Sequence, residues 1–415
     1  MSNDFSIYAP QSLWNEWAHK LSLSAEVSKD MSGNTSFLSC VLITVTEENI
    51  VVLESESMIS TTYIKEEEID VEGYGQCLIP AQQLSSYIKN MPSDSNVTFS
   101  YNYDKEKITI ESDSSNHVKF TTNSFGIFNE DALPRAIDHV PEKSSSIVLS
   151  GKELPQKFKL ASSMTKSLEK DAAAGQDPFS GCSLDITEKG LQMFSLSISS
   201  AETFIPSEDI EFHEDNTTVL AAPDITTPRI ASFSNDDKIK ISIKDSKNIF
   251  IENDTTLMSI TALNTGNMPN LLSMSVIQQV LEPAWENRVV SVKVPSNEFF
   301  KSLSRVSTVK VDKVVLHLTN TIVGIKGIDN GQEIFSQQVP ATTDWFDDGD
   351  KEIIAEITVS SVKKISSSVS KNDNLIFDVS CKENGDPWTC VRDPRRGRRR
   401  RLHRPDCEEE PECVR

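Results

Sequence analysis

The chain has 415 residues, 37% of them hydrophobic, and a formal net charge of −21. This length predicts several domains with modest cores. The acidic excess argues against general attraction to nucleic acid or to an anionic membrane, so a nucleic-acid function would need basic groups gathered on one face. We find neither an apolar run long enough to span a bilayer nor a basic and apolar secretory leader, which predicts a cytoplasmic protein.

The first part of the chain alternates between helical and strand-like patterns. An amphipathic stretch at 13–27 predicts a helix, and alternating apolar residues at 40–55 predict a β-hairpin. A second helical stretch at 78–92 and a second hairpin region at 97–122 follow. This order predicts a unit of helix, hairpins, helix and hairpins.

The same order of patterns occurs two more times. Similar hairpins begin at Cys40, Cys182 and Lys313, at intervals of 142 and 131 residues. These intervals exceed the roughly 20–50 residues of solenoid repeats and are typical of small domains. We therefore predict an α+β protein of three tandem repeats, each with two helices packed on antiparallel β-hairpins. The predicted domains are 1–140, 141–285 and 286–391, followed by a tail at 392–415.

The helical segments carry more basic than acidic residues, although the whole chain is acidic. In the second repeat Lys159, Lys166 and Lys170 would share the helix face opposite an apolar stripe. Any soluble amphipathic helix can show such lysines, so one helix alone is uninformative. The bias over several segments favours a polyanionic partner. The candidate residues are Lys20, Lys89, Lys159, Lys166, Lys170, Arg229, Lys301, Arg305, Lys363 and Lys364.

Three such units resemble the bacterial DNA polymerase III beta subunit family, the sliding clamps. The resemblance rests on LIPAQQLSSYIKNMP at 78–92 with its hairpin, on VLAAPDITTPRIASF at 219–233, and on the helix and hairpin that open each repeat. The family implies the DNA clamp fold, with each chain forming half of a six-domain ring. It also implies a homodimeric processivity factor that encircles double-stranded DNA without sequence preference and tethers a replicative polymerase.

The resemblance further implies how the ring closes. The edge strand near Val118 and Phe120 of one copy would pair with the third domain of the other, near Leu303 and Val306. Such pairing would cover an otherwise exposed strand edge. For Phe120, simple packing in the core is an open alternative.

Clamps bind their polymerase and their clamp loader through short peptides that enter an apolar cleft. The family lines this cleft partly with a Thr-Asp-Gly-His-Arg-Leu stretch, but the equivalent region here reads SLSISSAETF at 195–204. Ala201, Pro223 and Thr227 are the positional candidates for the cleft walls. This departure suggests a divergent or virus-encoded relative.

The C-terminal tail differs from the family pattern. Four arginines precede Val391 and nine follow it. The tail indicates either a changed reading frame or appended segment, or a basic DNA-binding arm followed by an acidic block, and its composition predicts disorder in both cases. Four late cysteines and His403 do not have the spacing of a zinc ribbon, so no metal site is predicted.

Motifs of enzymes are not found in the sequence. The chain has no Gly-rich phosphate loop, no GxSxG and no HExxH motif. We predict no catalytic residue and no cofactor. The alternative function is a non-enzymatic all-β binding protein of three modules, such as an adhesin. That protein would be expected to have an export signal and to lack basic helix faces.

Overall fold

The computed structural model describes residues 3–26, 37–124, 144–165, 180–196, 200–213, 217–244, 247–263, 288–309, 311, 313–329, 332–346, 352–358, 374–381 and 387–392. The chain divides into two compact units, Met1–Ser273 and Met274–Arg415. Helices α1 to α5 are Gln11–Ser24, Ala81–Lys89, Leu154–Ala161, Pro223–Ala231 and Ser296–Thr308. None of these described helices has the length and apolar character to cross a membrane.

The strands are numbered in chain order. Strands β1 to β9 are Phe5–Pro10, Cys40–Val45, Val51–Glu56, Ser60–Glu66, Asp70–Gly73, Gly75–Pro80, Asn96–Asn102, Lys107–Ser112 and Lys119–Asn123. Strands β10 to β18 are Ser145–Leu149, Cys182–Thr187, Gly190–Leu196, Ser200–Pro206, Ile210–Glu211, Thr218–Ala221, Ile239–Lys244, Asn248–Glu252 and Thr256–Thr261. Strands β19 to β26 are Arg288–Pro295, Lys313–Leu318, Ile322–Asp329, Gln332–Pro340, Thr342–Trp345, Ile353–Thr358, Asn374–Cys381 and Pro387–Arg392.

The order of elements repeats along the chain. The first and second repeats both have a strand, a helix, five strands, a second helix and three strands. The third repeat has β19, α5 and β20 to β24, and its described part continues with β25 and β26. All the described strand pairs in these sheets are antiparallel, from β1 with β5 to β25 with β26. The prediction of an α+β chain with antiparallel hairpins is confirmed.

One sheet runs through the first two repeats. Its order is β14-β10-β16-β17-β18-β4-β3-β2-β6, and the first unit also contains the sheets β5-β1-β7-β8-β9 and β13-β12-β11-β15. The two repeats meet where β4 pairs with β18, with Thr62 opposite Met258. The sheets of the second unit are β23-β19-β25-β26 and β22-β21-β20-β24.

Each repeat has its own apolar core. In the first core Trp14 of α1 packs against Trp17 and Phe99, with ring centroids 5.1 and 5.5 Å apart. Phe158 and Phe233 are among the largest side chains of the second core. Alternate residues of the strands point into these cores, as the period-two patterns predict. The domain limits 1–140, 141–285 and 286–391 remain predictions.

Proline marks three corners where a strand runs directly into a helix. Pro10, Pro80 and Pro295 end β1, β6 and β19 and have φ angles of −57°, −56° and −62°. The ring fixes φ near the value that the corner requires, and the missing N–H leaves no donor unsatisfied at the helix start.

The helix predicted to carry Lys159, Lys166 and Lys170 is shorter in the structure. α3 ends at Ala161, a 3₁₀ turn covers Ser162–Met164, and Thr165 is extended with a ψ of 147°. The prediction of one continuous helix is therefore wrong, and Lys166 and Lys170 lie outside the described residues. The helical segment predicted to carry Lys363 and Lys364 lies outside the described residues, which end at Thr358 of β24 and resume at Asn374.

Candidate nucleic-acid interface

Four of the predicted polyanion-facing side chains are exposed. Lys89 ends α2 and Lys159 lies on α3, both in the first unit, while Lys301 and Arg305 lie on α5 in the second. Arg305 Nη1 donates a hydrogen bond to Gln337 Oε1 at 3.1 Å. Within the described residues, the other three lysines have no ion-pair partner. Their ammonium groups are therefore available for nonspecific contacts to an anion.

Lys89 is surrounded by neutral hydrogen-bonding groups. It lines an open surface depression together with Ser22 of α1 and with Gln82, Ser86 and Asn90 of the α2 region. Asn90 Nδ2 donates to Ser86 O at 2.8 Å, which orients the amide. Ammonium, hydroxyl and amide groups all donate hydrogen bonds to phosphate oxygens without reading base sequence. The sequence pattern identified Lys89 but not the polar residues around it.

His19 adds no fixed charge to this part of the molecule. Partial burial, followed by repulsion from Lys89 and Lys20, lowers the pKa of His19 below its ordinary value. The imidazole is therefore neutral at pH 7. In the described helices of the first repeat, Lys89 is consequently the one exposed basic side chain with a permanent charge.

Two predicted polyanion contacts are buried instead. The Lys20 side chain is 1% exposed, and Arg229 is 5% exposed. Lys20 lies on the face of α1 that packs toward the second repeat, and Arg229 lies on the face of α4 that packs toward the first. The prediction that Lys20 and Arg229 face a polyanion is wrong, because neither charge reaches the surface.

The excess of basic charge on the helices is smaller than predicted. The exposed charges on the five described helices are basic at Lys89, Lys159, Lys301 and Arg305 and acidic at Glu16, Asp224 and Glu298. The predicted contacts Lys166, Lys170, Lys363 and Lys364 lie outside the described residues. The described helix surfaces are thus nearly balanced in charge, whereas the chain as a whole is strongly acidic.

The cleft candidates all lie in the second repeat. Pro223 is the first residue of α4, Thr227 follows one turn later, and both are partly buried. Ala201 lies in β13 and pairs with Ser195 of β12. The structure does not test whether the three residues form a peptide-binding cleft, so this assignment stays a prediction.

The predicted closure strand in the first repeat is a sheet edge. β9 pairs with β8 on one side and is the last strand of its sheet. Phe120 of β9 is partly buried and stacks on Tyr87 of α2, with ring centroids 4.5 Å apart and planes at 3°. Val118, just before β9, is also partly buried. Both residues therefore combine partial core packing with a surface at the edge.

The predicted closure residues in the third repeat are not at the surface. Leu303 and Val306 of α5 are both 0% exposed and belong to the core of the second unit. Their side chains cannot meet a second copy, and the prediction that they form the dimer interface is wrong. The apolar stripe that suggested an interface is the core-facing stripe of α5.

Strand β22 is the exposed edge that sequence reasoning missed. It is the last strand beside β21, and Ile334 within it is 42% exposed. Its counterpart in the first repeat is β4, since both are the third strand after the opening helix of their repeat. Aligning that third strand across the repeats is the sequence signal that could have identified β22.

Comparisons with known proteins identify the fold. No family model matches the sequence, and no curated protein matches it. Solved structures do match. A putative DNA polymerase III beta subunit from Eubacterium rectale is 14% identical with a TM-score of 0.68, over 93% of this chain and 98% of that one. The chain has the sliding-clamp fold.

Two other clamp structures extend this comparison. A sliding clamp from Bartonella birtlesii, solved bound to griselimycin, is 14% identical with a TM-score of 0.67, over 95% of this chain and 97% of that one. The DNA polymerase III beta subunit from Thermotoga maritima is 9% identical with a TM-score of 0.64, over 90% and 92%. The sliding-clamp fold is therefore matched over nearly the whole chain at low sequence identity.

Proposed function

We propose that this protein is a DNA sliding clamp, a non-enzymatic processivity factor that encircles duplex DNA and tethers a replicative polymerase. The observation that carries the proposal is the sliding-clamp fold over at least 90% of the chain. A protein with this function works where DNA is copied, in agreement with the predicted cytoplasmic location. Encirclement holds DNA topologically, so it requires only weak contacts to the phosphates.

The proposed DNA contacts are the exposed helix cations Lys89, Lys159, Lys301 and Arg305. Lysine suits such contacts because its ammonium is a flexible and hydrated point charge that does not fix the register of the duplex. The small number of exposed cations on the described helices favours sliding over tight binding. Lys166, Lys170, Lys363 and Lys364 remain candidates from the sequence.

We also propose that the ring closes as a head-to-tail homodimer through β9 of one copy and β22 of the other. The joint between the first two repeats supplies the pattern for this pairing. There β18, the last strand of the second repeat, pairs antiparallel with β4 of the first. β9 is the last strand of the first repeat, and β22 is the counterpart of β4 in the third.

The strand registers give the residues that would meet. Phe120 in β9 corresponds to Met258 in β18, since each lies opposite the matching core isoleucine of the preceding strand, Ile110 and Ile251. By the same alignment Phe335 in β22 corresponds to Thr62 in β4.

Because Met258 pairs with Thr62, the proposed pairing would bring Phe120 of one copy opposite Phe335 of the other. An aromatic pair at this position would contribute apolar burial to the closure of the ring.

Short peptides of a polymerase and of a clamp loader are the proposed further partners. The candidate cleft residues Ala201, Pro223 and Thr227 support this assignment by position alone. The stretch SLSISSAETF has neither the arginine nor the histidine of the family motif. We therefore expect this protein to prefer peptides other than those of typical bacterial clamps.

Retention on circular DNA tests the proposed function. The protein is incubated with nicked circular DNA and with the same DNA cut to a linear form, and each mixture is passed through a gel-filtration column at moderate salt. A clamp stays with the circle and slides off the linear form. Equal loss from both forms, or equal retention on both, contradicts encirclement.

A further inference from the structure

Two buried cations lie at the joint between the first and second repeats, within the first unit. The joint cluster consists of Lys20 and Leu23 of α1, Ser60 of β4, Thr256 of β18, Arg229 of α4 and Phe233 after α4. Lys20 and Arg229 are buried, although most of the other charged side chains among the described residues are at least partly exposed. Burying a charge is costly unless hydrogen bonds compensate for it, so the partners of these cations indicate their role.

The Arg229 guanidinium connects three elements. Nη1 donates to Ile225 O of its own helix at 2.6 Å, and Nη2 donates to Ser60 Oγ at 2.7 Å. Nη2 also donates to Leu23 O, in the last turn of α1. A cation at this position satisfies a carbonyl that the end of a helix leaves without a partner, and it interacts favourably with the helix dipole. Burial lowers the pKa of Arg229 to about 10, which leaves it charged at pH 7.

Lys20 approaches the same joint from the other side. Its Nζ lies 2.7 Å from Glu16 Oε1, donates to Thr256 Oγ1 at 3.4 Å, and stands 4.8 Å from the centre of the Phe233 ring. Glu16 is half exposed, while the other two contacts are on the second repeat. Lys20 therefore reaches from the first repeat into the second, and Arg229 reaches from the second into the first.

We infer that Arg229 is a positioning residue that fixes the angle between the first two repeats by joining α4 to the end of α1 and to β4. A planar guanidinium holds several acceptors in fixed directions, which a lysine ammonium does not do. The inference is independent of DNA binding. It accounts for why this cation, placed on a helix that was predicted to face a polyanion, is buried.

The position of Arg229 in the repeat supports this role. Residue 87 lies 142 residues earlier, the same interval that separates Cys40 from Cys182. It is Tyr87, whose ring stacks on Phe120 at the β9 edge. Arginine therefore occurs in the second repeat, whose last strand pairs with the first repeat. Tyrosine occurs at the corresponding position of the first repeat, next to the edge strand β9.

Hydrogen exchange of R229M and R229K tests the inference. Both substitutions remove the guanidinium hydrogen bonds that join α4 to α1 and β4, whereas R229K keeps the positive charge. We expect the amides that bond across the joint, Thr261 N to Ile59 O and Lys65 N to Thr255 O, to exchange at least tenfold faster in both variants. Amides of the β7–β8 pair, inside the first repeat, should exchange at the wild-type rate.

Two outcomes would overturn the inference. Unchanged exchange at the joint means that the guanidinium does not hold it, and equal acceleration at the joint and at β7–β8 means that Arg229 serves general stability. If R229M does not fold, R229K is interpreted in the same way. The salt dependence of DNA binding by R229M separates the inference from the proposed function. A slope reduced by about 0.9 would instead identify Arg229 as a phosphate contact.

Discussion

The last strand of the repeat has a different environment in the second repeat than in the first. β18 of the second repeat is covered by β4, and Met258 and Ile260 within it are both 0% exposed. β9 of the first repeat is the edge of its sheet, and its inward residues Phe120 and Thr122 are only partly buried. We call these strands the covered edge and the free edge.

The difference follows from where the neighbouring strand comes from. The covered edge receives its neighbour from the same chain, so its side chains become core residues. Among the described strands, the free edge has a neighbour on one side only, and it carries a half-buried aromatic side chain. These are the features of a strand that pairs with another molecule. The comparison therefore supports a second copy as the partner of β9, in agreement with the proposed ring.

Met258→Ala should have the largest effect on stability. It leaves a cavity at the covered edge and is expected to lower the free energy of unfolding of the first unit by about 2–5 kcal/mol. Denaturant unfolding followed by circular dichroism measures the loss. Phe120→Ala is the matched variant and should cost less at concentrations where the wild type is monomeric. Equal costs would mean that the two edges do not differ as described.

Phe120→Asp should have its main effect on self-association. A carboxylate opposite an aromatic ring in a paired edge is expected to weaken the dimer by about 100-fold or more, roughly 2.7 kcal/mol. Sedimentation velocity over a range of concentrations measures the change. Tyr103→Asp is the control, because Tyr103 is 50% exposed in the turn between β7 and β8, away from the edge. A dimer as tight as the wild type would exclude β9 from the interface.

Lys89→Gln and Lys20→Met should differ in DNA binding. Removing one exposed phosphate contact lowers the slope of log K against log salt by about 0.9, and we expect this for Lys89. Lys20 is buried, so Lys20→Met should leave the slope unchanged. Fluorescence anisotropy with labelled duplex DNA at several salt concentrations makes the measurement. A reduced slope in Lys20→Met would place that ammonium at the surface.

The smallest expected effect is on His19. Lys89→Gln removes one of the charges that lower the pKa of His19, so the pKa should rise toward its usual value of about 6.5. The lowered pKa means that the folded state binds fewer protons than the unfolded state. The free energy of unfolding should therefore fall as the pH decreases from about 6.5 through the folded pKa.

Titration of the imidazole by NMR measures the shift in Lys89→Gln, with Lys301→Gln in the other unit as the control. An unchanged pKa in Lys89→Gln would contradict the proximity of the two side chains. Replacing His19 with Gln removes this titrating group. The free energy of unfolding should then fall less as the pH decreases through the same range.

Much of the fold could be predicted from the sequence because its signals are local. Alternating apolar residues such as Ile239, Ile241 and Ile243 predict strands, and all three are at most 1% exposed. The same patterns recur at a nearly constant interval, which predicts that the repeats have the same order of elements. The length of α3 was not predictable in this way, since Ser162 to Thr165 leave the helix although the lysine spacing continues.

The functional surfaces were harder to predict because they depend on neighbouring repeats. A helical wheel separates the polar face of α1 from its apolar face, but it does not indicate that Lys20 meets Phe233 of the next repeat. Likewise, the apolar stripe of Leu303 and Val306 has the same pattern whether it packs into a core or against a partner. Only the three-dimensional arrangement distinguishes these cases.

Covalent closure of the ring on DNA tests the central claim most directly. In the proposed register, Thr121 of one copy lies opposite Ile334 of the other, so T121C/I334C should form a disulfide-linked dimer on oxidation. T121C/S336C, shifted by two residues, is the control and should cross-link far less. Each single variant controls for the native cysteines.

The T121C/I334C protein is oxidised in the presence of nicked circular DNA and washed at high salt. If two copies enclose the DNA, the cross-linked dimer stays on the circle and is released when the DNA is cut once. Loss of the cross-linked dimer in salt while the DNA is still circular, or its retention after cutting, would contradict a ring that encloses DNA.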